Sequence, residues 1–176
     1  MGEYPFDVDD NELFHALGRV TLDFGILEDT LAVFIAVLIN NNEGHHAYIA
    51  ACELNYKSKL GVLMAEYNLR ISQPEKIEQL RLVLEKLQDI ETTRNTYIHS
   101  FWEKHEDRIV RQKPKSRIQD GYGVHPSTTK PKELNDFANR IERYGVEIHK
   151  IYWDYLHIIK LEQLHINEKN KEDQKN

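Results

Sequence analysis

The chain has 176 residues, a formal net charge of −6 and a single cysteine, Cys52. That length suits one domain with a real core, and a lone thiol excludes an intramolecular disulfide and fits a reducing, cytoplasmic compartment. Met1 to Asp10 is acidic and contains Pro5 rather than a basic-then-apolar leader, and the longest apolar run, Leu31 to Ile39, is too short to span a bilayer.

The first predicted helix runs from Asp9 or Asp10, both good N-caps, to Asn40. Leu13, Leu17, Val20, Phe24, Leu27, Leu31, Phe34 and Leu38 recur in steps of three and four, which is one face of a helix. Asn40-Asn41-Asn42-Glu43-Gly44 ends it. A less regular helical stretch covers Ala47 to Leu69, broken near Asn55-Tyr56 and resuming through Leu60, Leu63 and Met64. Ser72-Gln73-Pro74-Glu75 reads as a capping box with proline in the first turn, opening a helix expected to reach Trp102. Its seam is Ile77, Leu80, Leu84, Leu87, Glu91, Arg94, Ile98 and Phe101. The last helix opens near Thr129, with Pro131 in its first turn, and carries Phe137, Ile141, Tyr144, Ile148, Ile151, Tyr155 and Ile158 on one stripe. These elements predict an all-α fold for residues 1–166, a four-to-five-helix bundle packed at shallow angles. The polar tail, 167–176, is expected to be disordered.

Asp107 to Ser127 does not read as helix. Arg108-Ile109-Val110-Arg111 and the turn residues Asp120-Gly121-Tyr122-Gly123 predict a β-hairpin or extended flap between the third and last long helices. Arg111, Lys113, Lys115 and Arg117 alternate at period two, so in an extended segment they share a face. Such a run is either a solvated surface or a phosphate-tracking arm for RNA.

The third helix carries the chemistry. Glu91 and Arg94 put charge on an apolar seam, and a lone buried cation is expensive unless it has a partner or a function. Arg94-Asn95-Thr96-Tyr97-Ile98-His99 adds a carboxamide and an imidazole. Arginine offers a planar fork of donors for phosphate oxygens, and histidine moves protons near neutral pH. Together they can cleave RNA without a metal or cofactor, with Arg94 stabilising charge on the phosphoryl oxygens and His99 as acid or base. Asn95 and His99, four apart, can share a hydrogen bond. On a straight helix Arg94 and His99 lie about 140° apart, a difficulty that a site shared across a two-fold axis removes. The competing account is a structural Arg-Glu pair with His99 in the core. Glu28, beside Thr21, Gly25 and Ala32 on the first helix, is a candidate second carboxylate that either supports Arg94 or His99 or simply points to water.

Arg94-Asn95 followed four residues on by His99 resembles the R-(polar)-x-x-x-H signature of the HEPN superfamily, small helical domains of bacterial toxin and antiviral systems. Leu22-Asp23-Phe24-Gly25-Ile26-Leu27-Glu28 and Ser100-Phe101-Trp102 resemble one branch of it. The resemblance implies a HEPN-like bundle that forms a homodimer. Arg94 and His99 of both copies then make a composite, metal-independent endoribonuclease site, with Asn95 orienting the pair. Substrates of that class are tRNA or mRNA, and an antitoxin or defence protein is the implied partner. One departure is Phe101, which stands where antitoxin-modified relatives carry tyrosine, so that mode of regulation is not expected.

Residues 1 to 56 hold ten acidic side chains against Arg19 alone, a local net of −9. Such a surface repels nucleic acid, so RNA must be gripped locally, and a basic protein partner also suits that face. This acidity keeps a second function in play, a non-catalytic HEPN-like dimeric adaptor or nucleotide-binding module. No metal site is expected: His45-His46 are adjacent in a loop without carboxylate or thiolate spacing. His149, His157 and His165 fall every eight residues, about 12 Å apart on a helix. Tyr144, Tyr152, Trp153 and Tyr155 read as core and interface rather than as a base-stacking platform.

Overall fold

A computed structural model of the chain describes residues 11–39, 44–105, 108–117 and 121–173. Its elements in order are α1 (Asn11–Ile39), α2 (Gly44–Cys52), α3 (Tyr56–Arg70), α4 (Pro74–Ile98), β1 (Phe101–His105), β2 (Arg108–Arg117), β3 (Gly121–Thr128) and α5 (Pro131–Asp173). The expected caps Asp9 and Asp10 and the turn at Asn40 to Glu43 lie outside the described residues. The architecture is the all-α bundle read from the sequence, with a small antiparallel sheet where the flap was expected.

The α1 seam is buried along its whole length apart from the half-buried Leu17, and Ala16, Ala32, Ile35 and Ala36 are buried beside it. A stripe that wide belongs to a helix enclosed on several sides, and α1 packs against α2, α3, α4 and α5. Phe34 of α1 sits at the centre, with Tyr67 of α3 at 5.9 Å, Tyr152 of α5 at 5.4 Å and Tyr155 of α5 at 5.9 Å between ring centroids. Arg19 ties α1 to α5 more peripherally, donating to Asn139 Oδ1 at 2.9 Å.

The break near Asn55 is a helix start: Asn55 caps α3, its side-chain oxygen accepting from the Ser58 N–H at 2.9 Å. His45 and His46 lie in α2 rather than in a loop. The capping box at Ser72 does not form. Gln73 is the N-cap, at φ −88° and ψ 108° with no side-chain cap bond, and Pro74 is the first helical residue. Proline disfavours helical backbone at the residue before it, so Gln73 stays extended and the helix cannot begin earlier.

α4 ends at Ile98 instead of Trp102, and its buried stripe differs from the sevenfold seam. Leu80, Val83, Leu84, Leu87 and Ile90 are buried, while Glu91 is only half-buried and Tyr97 packs against the core. Ile98, half-buried like Tyr97, also packs against the core, so the last turn of α4 presents both to the interior.

The sheet has the order β1-β2-β3, with Phe101 opposite Gln112, Trp102 opposite Arg111, and Arg111 opposite Ser127. Phe101 and Trp102 therefore leave the helix for a strand, where aromatic side chains are favoured. At the far end, α5 continues to Asp173, so residues 167–173 of the expected disordered tail are helical. Extending an existing helix fixes one residue per added hydrogen bond, without the cost of a new nucleus. No helix among the described residues is long and apolar enough to cross a membrane.

Candidate functional site at the end of α4

The last turn of an α-helix leaves its carbonyls without partners. In α4 those groups are taken up by residues beyond the helix. Ser100 Oγ donates to Thr96 O, Trp102 Nε1 donates to Tyr97 O at 3.1 Å, and Arg111 Nη1 donates to Thr96 O at 3.4 Å. The sheet is thus the C-terminal cap of α4. His99 is the residue where helix becomes strand: it is the C-cap, at φ −98° and ψ 17°, its N–H bonded to Asn95 O at 3.1 Å. Its side chain is exposed, and among the described residues its imidazole has no hydrogen-bond partner. Because His99 is off the helix, the 140° splay calculated for a straight helix does not describe the pair.

Arg94 is half-buried on the inner side. Its guanidinium lies 4.9 Å from the centroid of the Phe24 ring, and Nη1 donates to Asn95 Oδ1 at 2.9 Å. Nε is buried without a hydrogen bond. Among the described residues no carboxylate lies within 4.0 Å of it, so neither Glu91 nor Glu28 is its ion-pair partner. The structural Arg-Glu pair is absent, and a π face replaces it. Glu28 instead faces Lys59 of α3 at 3.7 Å. Lys59 is 6% exposed and donates to Leu54 O at 2.8 Å and to Cys52 O at 3.4 Å, closing the end of α2. Glu28 and Glu91 do share a neighbour. Burial pushes the Tyr56 phenol far above its ordinary value, and the charges of Glu28 and then Glu91 add to the rise.

Asn95 therefore acts on Arg94 and not on the ring of His99. Its amide oxygen fixes the guanidinium, and only its backbone carbonyl reaches His99. Arg94 and Asn95 are brought together, and His99 stands at the helix end one turn beyond.

Arg111 is not a free cation. Besides Thr96 O, its Nη2 donates to Ser127 Oγ at 2.8 Å, and its guanidinium stacks 5.3 Å from the Tyr97 ring centroid. It clamps β2 and β3 onto the last turn of α4, so its guanidinium is already engaged within the fold. Lys113, Lys115 and Arg117 hold the next alternate positions of β2, beyond the end of β1. Sequence reasoning missed Arg111 as a clamp, Trp102 as a cap and Lys59 as a buried cation. Only Lys59 left a signal, sitting next to Leu60 in the buried α3 stripe.

On another face of α1, about 110° around the helix from Phe24, a groove of about 430 Å³ is lined by Asp23, Ile26, Thr30, Ile141, Val146 and His149. Burial raises the Asp23 carboxyl above its ordinary value; Arg19 opposes the rise and Glu142 adds to it. Among the described residues no group of three or more His, Cys, Asp or Glu side chains is arranged to hold a metal ion. No family model, curated protein or solved structure matches this chain.

Proposed function

We propose that this protein is an endoribonuclease of HEPN type that cleaves RNA without a metal, in a site shared across a homodimer and serving toxin–antitoxin or antiphage defence. The observation that carries it is the state of Arg94. Its guanidinium is anchored by an amide and a ring, and it lies one turn from an exposed imidazole; among the described residues the guanidinium has no carboxylate partner and the imidazole no hydrogen bond. A charge-assisted bond to a phosphate oxygen is open to a guanidinium in that state.

The reaction is an in-line displacement. The 2′-oxygen forms a bond to phosphorus and the bond to the 5′-oxygen breaks, leaving a 2′,3′-cyclic phosphate and a 5′-hydroxyl. One imidazole takes the proton of the 2′-hydroxyl, and a second, protonated imidazole gives one to the departing oxygen. Arg94 stabilises charge on the non-bridging oxygens. Each chain supplies one His99, so two copies provide both proton transfers. Asn95 is a positioning residue for Arg94.

The test is incubation of purified protein with total RNA in EDTA. Cleavage leaving cyclic phosphate termini is expected, with His99→Ala slower by about 100- to 10,000-fold and Arg94→Ala similarly impaired. Activity that appears only with added divalent ions overturns the mechanism. A monomer by sedimentation at micromolar concentration overturns the shared site. Full activity in His99→Ala overturns the role of His99, and no cleavage by the native chain favours the second reading, a non-catalytic dimeric adaptor or nucleotide-binding module. That reading draws on the acidic N-terminal third and on exposed Leu22, Ile26, Val146 and Trp153.

A further inference from the structure

The groove between α1 and α5 has one charged end, apolar walls and an aromatic end. The two helices run in the same direction along it: Arg19 meets Asn139 at one level, and Phe34 meets Tyr152 and Tyr155 further on. Its lining spans Asp23 to Thr30 on α1 and Glu142 to His149 on α5, a length of about 10 Å along each helix. Leu27 and Ile141, both buried, form the floor, and Ile26 and Val146, 57% and 49% exposed, stand as walls.

At the charged end, Asp23 Oδ2 and Glu142 Oε2 each lie 3.7 Å from Arg19 Nη2. That guanidinium donates elsewhere, to Asn139 Oδ1 at 2.9 Å and to Asn135 Oδ1 at 3.4 Å. Two carboxylates thus share one cation, and Asp23 Oδ2 is buried without a hydrogen bond among the described residues. Burial raises the Asp23 carboxyl and Glu142 adds to the rise, so this end of the groove is short of one positive charge and one donor. At the other end His149 Nε2 accepts from Trp153 Nε1 at 2.9 Å, and its ring lies nearly parallel to that of Tyr152, 13° between planes. Among the described residues no lysine or arginine lines the groove.

Gly145 is an independent sign that the space is kept. It lies inside α5, where glycine is among the least favourable residues, and it lines the groove. A Cβ placed on it meets nothing within 4 Å. Close packing therefore does not account for glycine here, and a larger side chain at this position occupies the groove.

We propose that the groove binds an arylalkylammonium cation, a primary ammonium joined through a short chain to an aromatic ring. The ammonium donates to Asp23 beside Glu142, the chain runs between Ile26 and Val146, and the ring packs against His149. A monocation balances the excess carboxylate and supplies the missing donor. An anion is repelled by that end, and a purely apolar ligand leaves Asp23 unsatisfied. A diamine does not suit a far end built of rings. The site lies on a different face of α1 from Phe24 and Arg94, and the inference does not rest on the ribonuclease reading.

The probe is tryptamine, titrated calorimetrically into the whole chain. It is compared with tryptophol, in which a hydroxyl replaces the ammonium, and with indole propionate, in which a carboxylate does. Tryptamine is expected to bind saturably. Either analogue, or the Asp23→Asn substitution, weakens binding by about 10- to 100-fold, the range set by one charged hydrogen bond. Gly145→Leu fills the groove while favouring the helix, and should abolish binding with Tm kept or raised. Circular dichroism confirms that both variants fold, and Asp23→Asn with the tryptophol comparison decides the outcome if Gly145→Leu does not. No saturable binding of tryptamine at millimolar concentration, equal affinity for tryptophol, or native affinity in a folded Gly145→Leu overturns the proposal. So does a leucine–lysine helical peptide that Gly145→Leu blocks and tryptamine fails to displace, which assigns the groove to a protein partner. Loss of self-association in Gly145→Leu, with no tryptamine binding by the native chain, assigns the groove to a second copy and overturns it too.

Discussion

Arg111→Ala separates a clamp from a phosphate contact. The substitution removes a charged hydrogen bond to Ser127 Oγ at 2.8 Å, a long one to Thr96 O at 3.4 Å, and the stack on Tyr97 at 5.3 Å. Charged hydrogen bonds contribute about 1.5–3 kcal/mol when well made, and a cation over an aromatic ring about 0.5–2 kcal/mol. Two features reduce the total: the Thr96 bond is long, and Nε is already buried without a partner, so its removal relieves a cost. A net loss of about 2 kcal/mol follows, which in a chain of this size lowers Tm by about 4–8 °C. The clamp also holds the turn that presents His99, so on the proposed ribonuclease reading kcat should fall while the salt dependence of RNA binding keeps its native slope. Thermal melts and salt titrations on the same preparation read both quantities, and Arg111→Lys, which keeps the charge but loses the planar fork, should behave like alanine in the melt. A variant with native Tm and a slope reduced by about 0.7 refutes the clamp and favours Arg111 as a phosphate contact.

Two further outcomes follow from buried ionisable groups. Burial pushes the Tyr67 phenol from 10.0 up to about 12, with Asp154 and Tyr155 adding to it. The folded chain keeps this proton after the unfolded chain has lost it, so Tyr67 contributes stability below pH 10 that disappears as pH rises toward 12, worth about 2–3 kcal/mol. Tyr67→Phe should flatten that alkaline limb in part, since Tyr56 is raised further still; an identical limb in urea melts contradicts the assignment. Asp23, raised above 3.8 by burial, behaves as a carboxylate whose ionisation opposes folding. Its contribution is greatest below pH 3.8 and is lost as pH rises through the elevated value. Asp23→Asn should therefore match the native chain near pH 3 and exceed its Tm at pH 7, and a lower Tm at pH 7 shows that the Arg19 attraction outweighs desolvation.

What was legible in the sequence was local. The α1 seam, the interruption at Asn55 and the proline opening α5 each depend on residues within a turn or two, and each is present. The start of α4 was misplaced because two local signals competed: Ser72 and Glu75 favour a capping box, but Pro74 forbids helical backbone at Gln73 and prevails. The end of α4 was not locally decidable. Ser100, Phe101 and Trp102 fit a helix seam as well as a strand, and pairing with Gln112 and Arg111 settles it. The same distance in sequence hid the capping of α4 by Trp102 and Arg111. Lys59 illustrates a different limit: which of Arg94 and Lys59 faces Glu28 depends on how α3 and α4 are placed around α1, and periodicity does not encode that.

Arg94 and Arg111 make the sharpest contrast in the molecule. Both lie against an aromatic ring, Arg94 on Phe24 and Arg111 on Tyr97, and both bury an Nε without a hydrogen bond among the described residues. They differ in how the remaining donors are used. Arg111 gives Nη1 to a backbone carbonyl and Nη2 to a hydroxyl from another strand, and so fixes two elements to a third. Arg94 gives Nη1 to the residue beside it and, among the described residues, joins no second element by hydrogen bond. An arginine whose purpose is architecture saturates its fork with distant acceptors, because that is where its binding free energy stabilises the fold. One held by its neighbour and a ring keeps its direction while leaving donors for an anion. The arrangement at Arg94 stabilises the fold weakly for a half-buried cation, and its cost is explained if a phosphate is the missing partner.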